Sequence, residues 1–188
     1  KCTTEGANPA QVEESKRAMS EIRRVIGHPD VLKRLAADIV THYEALCSEK
    51  PEVVQKAMIV CADRTLAFKV LKEITAIRPD WNVPRKAENE FKLSEEQLDK
   101  LIPLEKIKLV ATQGDNDVKE LHGLCGTKEY RQKLDKQFKN NDSNFKIAIV
   151  VDMWITGFDV PSLAVMYIDK PLQKHTLIQT ISRVNRVF

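Results

Sequence analysis

Short runs of consecutive apolar residues alternate along the chain with stretches in which apolar positions recur at helical spacing. The runs Ala57–Ala62, Ile107–Thr112, Ile147–Val151 and Ala164–Ile168 have the length and the β-branched character of strands covered on both faces. Leu66, Val70, Leu71 and Ile74 form one stripe after the first run, and Tyr130, Leu134 and Phe138 form another within a helix expected over Thr127–Asn140. A last helix is expected at roughly Gln173–Val184. Before the first strand, Val12, Met19, Ile22 and Ile26 recur up to Gly27, and Leu32, Leu35, Ile39, Tyr43 and Leu46 recur after it. Asn8-Pro9 and His28-Pro29 supply the two helix starts, so residues 1–50 read as an αα hairpin. Lys50-Pro51 marks a boundary, and residues 51–188 form the main domain. The polar, proline-containing stretch at about 79–105 reads as an insertion over the sheet edge, with one short helix opened by the capping box Ser94-x-x-Gln97. The order strand–helix–strand–helix–strand–strand–helix predicts a three-layer α/β fold with a mostly parallel sheet, preceded by the helical hairpin.

Composition narrows the class without naming a function. The chain has 188 residues, 43% hydrophobic and 30% charged, with a net charge of +3. That charge is too small and too evenly spread to announce nucleic acid, so a nucleic-acid role must rest on placed residues. None of the four cysteines, Cys2, Cys47, Cys61 and Cys125, forms a C-x-x-C pair, and Cys61 lies in an apolar run, which points to a reduced, cytoplasmic protein. His122-x-x-Cys125 has a metal-compatible spacing but no second pair, and is read as loop; no metal site is expected. No apolar run approaches the roughly 18 residues a membrane span needs, and no signal segment opens the chain.

Candidate chemistry gathers where strands end, because ligands of open parallel sheets are met at the carboxyl ends of the strands. Asp63-Arg64 follows the first strand, Gln113-Gly114-Asp115 the second, and Asp152-Met153 the third, before the turn Thr156-Gly157-Phe158-Asp159. Gln179, Ser182, Arg183 and Arg186 fall at i, i+3, i+4 and i+7 and share one face of the last helix. The chain lacks G-x-x-x-x-G-K-[ST], G-x-G-x-x-G and an acidic box for magnesium, so it is not expected to hydrolyse ATP alone.

The blocks D-x-x-x-T-G-F-D-x-P (from Asp152) and Q-x-x-S-R-x-x-R (from Gln179) resemble motifs V and VI of superfamily 2 helicases and translocases. Asp169-Lys170-Pro171-Leu172, His175, Leu177, Ile178 and Ser182-Arg183-x-Asn185-Arg186 are similar to the phrasing of the motor (R) subunit of type I restriction-modification enzymes. The resemblance implies a RecA-like second motor domain acting with ATP and Mg2+, both bound mainly by a first motor domain. It implies Arg186 as the arginine finger and Arg183 as a γ-phosphate contact or brace, with Gln179 orienting polar groups at the same seam. Gly157 and Asp159 match positions that meet the nucleotide. Asp63, Arg64, Gly114, Asp152 and Met153 match positions at the nucleic-acid backbone, Gly114 by letting backbone N–H groups approach a phosphate. Thr156 and Ser182 depart from the wording of many relatives and weaken analogy to RNA helicases.

The implied partners are double-stranded DNA and the methyltransferase and specificity subunits of a restriction complex. The chain is expected to be an inactive excised piece of an ATP-hydrolysing endonuclease, without its first motor, nuclease and assembly regions. Pro79-Asp80 with Glu90-x-Lys92 has a nuclease-like spacing, but the intervening residues offer no strand to bring the groups together. Alternatives are the second motor domain of another superfamily 2 helicase or remodeller, and a non-enzymatic α/β nucleic-acid-binding module. Residues upstream of this segment would separate them.

Overall fold

The computed structural model describes residues 27–115, 117–151, 153–154 and 159–169, together with Glu13. Four parallel strands make one sheet: β1 (Lys56–Cys61), β2 (Ile107–Val110), β3 (Ile147–Val150) and β4 (Leu163–Asp169), in the order β2-β3-β1-β4. Five α-helices lie among the described residues: α1 (Pro29–Glu49), α2 (Arg64–Ile77), α3 (Glu95–Asp99), α4 (Lys119–Cys125) and α5 (Lys128–Lys139). The expected first helix, Glu13 excepted, and the expected last helix lie outside them.

The sheet's continuous apolar runs are explained by burial on both faces. All six residues of β1 and all four of β2 and of β3 are buried. Alternate side chains serve two cores. Ala57, Ile59, Cys61, Ile107, Leu109, Ile147 and Ile149 face one side, with α1, α2 and α4 packed over them. Met58, Val60, Val110, Ala148 and Val150 face the other, against Leu134 and Phe138 of α5. This is the expected three-layer α/β arrangement. Each fully buried aliphatic side chain contributes about 1.5–3 kcal/mol relative to an exposed one, so the inner strands anchor the fold.

β3 and β4 are consecutive in the chain but not neighbours. β4 pairs with the far side of β1, Met58 opposite Met166 and Cys61 opposite Asp169, so the connection at 151–162 joins strands on opposite sides of β1. The length fits the dozen or so residues a parallel crossover needs.

Helix α1 shares the first core through Leu32, Ala36, Ile39, Val40 and Tyr43, one face at helical spacing. Pro29 occupies its first turn, and His28 Nδ1 accepts the Asp30 N–H at 3.4 Å. The stretch at 79–105 is stitched to the domain rather than draped over it. Trp81 is buried edge-on against Tyr43, ring centroids 5.7 Å apart, and the Trp81 carbonyl accepts the Lys106 N–H at 2.9 Å. Arg78 grips this corner, bonding Asp80 through Nε and Nη2 at 3.0 Å each and pairing with Glu44 of α1. Asp80 and the pair Glu90 and Lys92 sit on two separate 3-10 turns, not on adjacent strands.

One helix escaped the sequence. Lys119–Cys125 is α4, so His122 and Cys125 are helical rather than loop residues, and Cys125 is buried in the first core. Gly126 ends α4 with φ of 60°, a conformation that favours glycine.

Candidate functional site

The register aligns Val60, Val110 and Val150 in one row, so the segments after β1, β2 and β3 emerge at one end of the sheet. A cleft of about 380 Å³ opens there, lined by Asp63, Arg64, Thr65, Lys69, Asp117 and Val151 among others.

Asp63 caps α2, its Oδ1 accepting the Leu66 N–H at 2.9 Å. The sequence offered Asp63 as a phosphate contact. In the structure the carboxylate caps the helix, where its charge suits the positive end of the peptide dipoles. Asp63 also acts on Asp169 at the end of β4. Burial, with the Asp63 charge second, pushes the Asp169 carboxyl up to about 6, and its Oδ2 is buried without a hydrogen-bond partner among the described residues.

Arg64, the first residue of α2, is about one-third exposed. Its Nε donates to Asp117 Oδ1 at 3.0 Å, while the Asp117 side chain is only 6% exposed. Asp117 Oδ2 accepts the Gly114 N–H at 2.7 Å, and the Asp117 N–H donates back to the Gly114 carbonyl at 3.1 Å, closing the turn twice. Burial works against the Asp117 carboxylate, yet the Arg64 and Gly114 hydrogen bonds hold its pKa below the ordinary value. The Asp117 hydrogen bond raises that of Arg64.

Gly114 leaves room here for the Arg64 side chain. A Cβ on it would lie 2.6 Å from the Arg64 Cζ. The close approach is therefore made by a guanidinium inside the protein, and the Gly114 N–H, spent on Asp117, is not offered to a phosphate.

Met153 is half-buried against the second core, together with Trp154, whose ring stacks on Phe138 at 5.5 Å. Trp154 thus packs, and takes a left-handed backbone with φ of 61°, unusual for a bulky residue. Asp159 is exposed. Asp152, Gly157, Gln179, Arg183 and Arg186 lie outside the described residues. Asp117 is the site residue that sequence reasoning missed; its only local sign is an aspartate three positions after a turn glycine.

The Cys61 thiol, at the end of β1, is pushed up to about 12 by burial, with Asp169 and Asp63 adding to the effect, so it is a packing residue and not a nucleophile. Among the described residues no group of three or more His, Cys, Asp or Glu could hold a metal, and no helix is long and apolar enough to cross a membrane.

Residues 38–188 match the family model described as type I restriction enzyme subunit R domain 3. The chain belongs to this family. As a type I restriction subunit R domain, it is similar to the type I restriction enzyme HindI endonuclease subunit of Haemophilus influenzae, 34% identical over 177 residues, covering 94% of this chain and 15% of that protein. It is likewise similar to the putative MjaIXP endonuclease subunit of Methanocaldococcus jannaschii, 33% identical over 183 residues, covering 97% of this chain and 15% of that protein. The subunit R domain therefore spans about 15% of the length of these curated relatives. Among solved structures, the C-terminal part of the Fun30 ATPase domain aligns with 97% of this chain and 51% of its own, at 14% identity and a TM-score of 0.37.

Proposed function

We propose that this chain is the second of two motor lobes in the endonuclease subunit of a type I restriction enzyme. In the intact enzyme it would face an ATP-binding lobe across its strand ends and couple hydrolysis to movement of double-stranded DNA before cleavage. The observation that carries the reading is the cleft at the carboxyl ends of the parallel strands, with Arg64, Lys69 and the start of the 14-residue helix α2 along it. Two cations beside one cleft suit phosphate oxygens.

Among the described residues no cluster of three or more His, Cys, Asp or Glu could hold Mg2+. These residues fit one wall of a shared site, and the other lobe would hold ATP and the metal. Bound ATP supplies the phosphoryl group; this chain supplies positive charge and shape. Arg186 is the arginine finger, set against the charge that develops on the γ-phosphate. Arg183 holds a γ-phosphate oxygen or braces that finger, and Gln179 orients polar groups at the seam. Gly157 and Asp159 meet the nucleotide. Arg64 touches a DNA phosphate, and Asp152 and Met153 follow the DNA backbone through turn geometry. The methyltransferase and specificity subunits are the partners of the whole assembly, and the isolated chain is inactive.

An arginine finger is worth about 10³–10⁵ in rate. Arg186→Ala in the intact subunit is expected to remove at least about 10³ of DNA-stimulated ATP hydrolysis while DNA binding persists. Hydrolysis at the wild-type rate would refute the assignment of Arg186. DNA affinity with no DNA-dependent ATPase in the wild-type subunit would favour a non-enzymatic binding module.

A further inference from the structure

Among the described residues, the hydrogen bonds of Arg64 use Nε alone, so the Nη groups of a one-third exposed guanidinium have no protein acceptor there. The side chain is nevertheless held from two directions. Asp117, itself anchored to the Gly114 N–H, fixes Nε, and the bare Cα of Gly114 gives the guanidinium its resting surface. Lys69 brings a second cation to the same cleft.

We infer that Asp117 is a positioning residue that holds the Arg64 guanidinium in the cleft as a preset fork for phosphate oxygens. The inference deepens the proposed function and rests on it. The carboxylate cancels most of the long-range charge of Arg64, so the pair gains little by general attraction. What it supplies is orientation. A guanidinium recognises phosphate through parallel N–H bonds from a planar fork, and a fork already fixed at Nε loses less rotational freedom on binding. The arrangement also accounts for a glycine at position 114, since any side chain would displace the fork. The phosphate comes either from the DNA backbone or from the nucleotide.

A mutant cycle in the intact endonuclease subunit tests the idea. Arg64→Ala, Arg64→Lys, Asp117→Ala, Gly114→Ala and the double variant Arg64→Ala/Asp117→Ala would be titrated with nonspecific duplex DNA over a salt series, and separately with a non-hydrolysable ATP analogue. Arg64→Ala is expected to weaken phosphate binding about tenfold and to lower the salt slope by about 1. Asp117→Ala should weaken binding severalfold although it removes a negative charge, and the double variant should bind no worse than Arg64→Ala. Gly114→Ala, which alters neither charge, should repeat the Asp117→Ala loss and stands in for it should that variant fail to fold. Arg64→Lys should retain the salt slope but not the affinity. Coupled losses confined to DNA identify the DNA backbone as the source, and losses confined to the analogue identify the nucleotide; both support the positioning role. If Arg64→Ala weakens binding while Asp117→Ala and Gly114→Ala leave it unchanged or stronger, or if the losses multiply in the double variant, the positioning role is overturned and the motor reading survives. If Arg64→Ala changes neither titration, the phosphate role of Arg64 in that reading falls as well.

Discussion

Lys56 opens β1 and is wholly buried, with its Nζ donating to the carbonyls of Phe138 and Asn140 where α5 ends. The contact ties the free carbonyls of a helix end to the central strand. Burial, with Lys146 second, brings the Lys56 pKa from 10.5 down to about 7. Between those values the unfolded chain holds more protons than the native one, so stability rises with pH. The contribution is present above 10.5 and is lost as pH falls to about 7. In Lys56→Met the group no longer titrates. The difference in unfolding free energy between wild type and variant should therefore move toward the wild type as pH rises through that window. A difference independent of pH would contradict the argument. Local sequence shows only a lysine before an apolar run and cannot show this burial. The same limit hides Asp117, whose partner Arg64 lies 53 residues away in the chain.

Helix α2 binds the sheet to the site, because its buried stripe packs on the strands while its first turn lines the cleft. The Asp63 cap maintains that turn. Asp63→Ala should cost about 0.5–2 kcal/mol in chemical denaturation of the chain, and Asp63→Asn much less. Equal losses from both would show that charge, rather than the capping bond, matters at Asp63. Elements with strong periodicity were legible: β1 and α5 stand within a residue of the expected Ala57–Ala62 and Thr127–Asn140. Helix α4 was not, because its seven residues include Gly123 and bury only Leu121 and Cys125, too few for a stripe. Trp81 looked like part of a loose insertion because the ring it meets, Tyr43, belongs to a distant helix. Asp63, Arg64 and Gly114 share one sheet end, as the strand ends in the sequence indicate. Their bonding is not legible there, and all three have internal hydrogen bonds.

At the scale of the molecule, alternating elements imply a parallel sheet, but strand order depends on contacts that no local pattern records. The order β2-β3-β1-β4 places β1 between β3 and β4, so the chain leaves β3 at the sheet end that carries the cleft and enters β4 at the opposite end. The reading as a whole claims that charge supplied from this lobe converts ATP hydrolysis into motion along DNA. The most direct measurement is displacement of a third-strand oligonucleotide from duplex DNA by the assembled restriction complex carrying Arg186→Ala. The account predicts that the variant complex stays bound to the duplex with ATP present and displaces no third strand; displacement at the wild-type rate would contradict it.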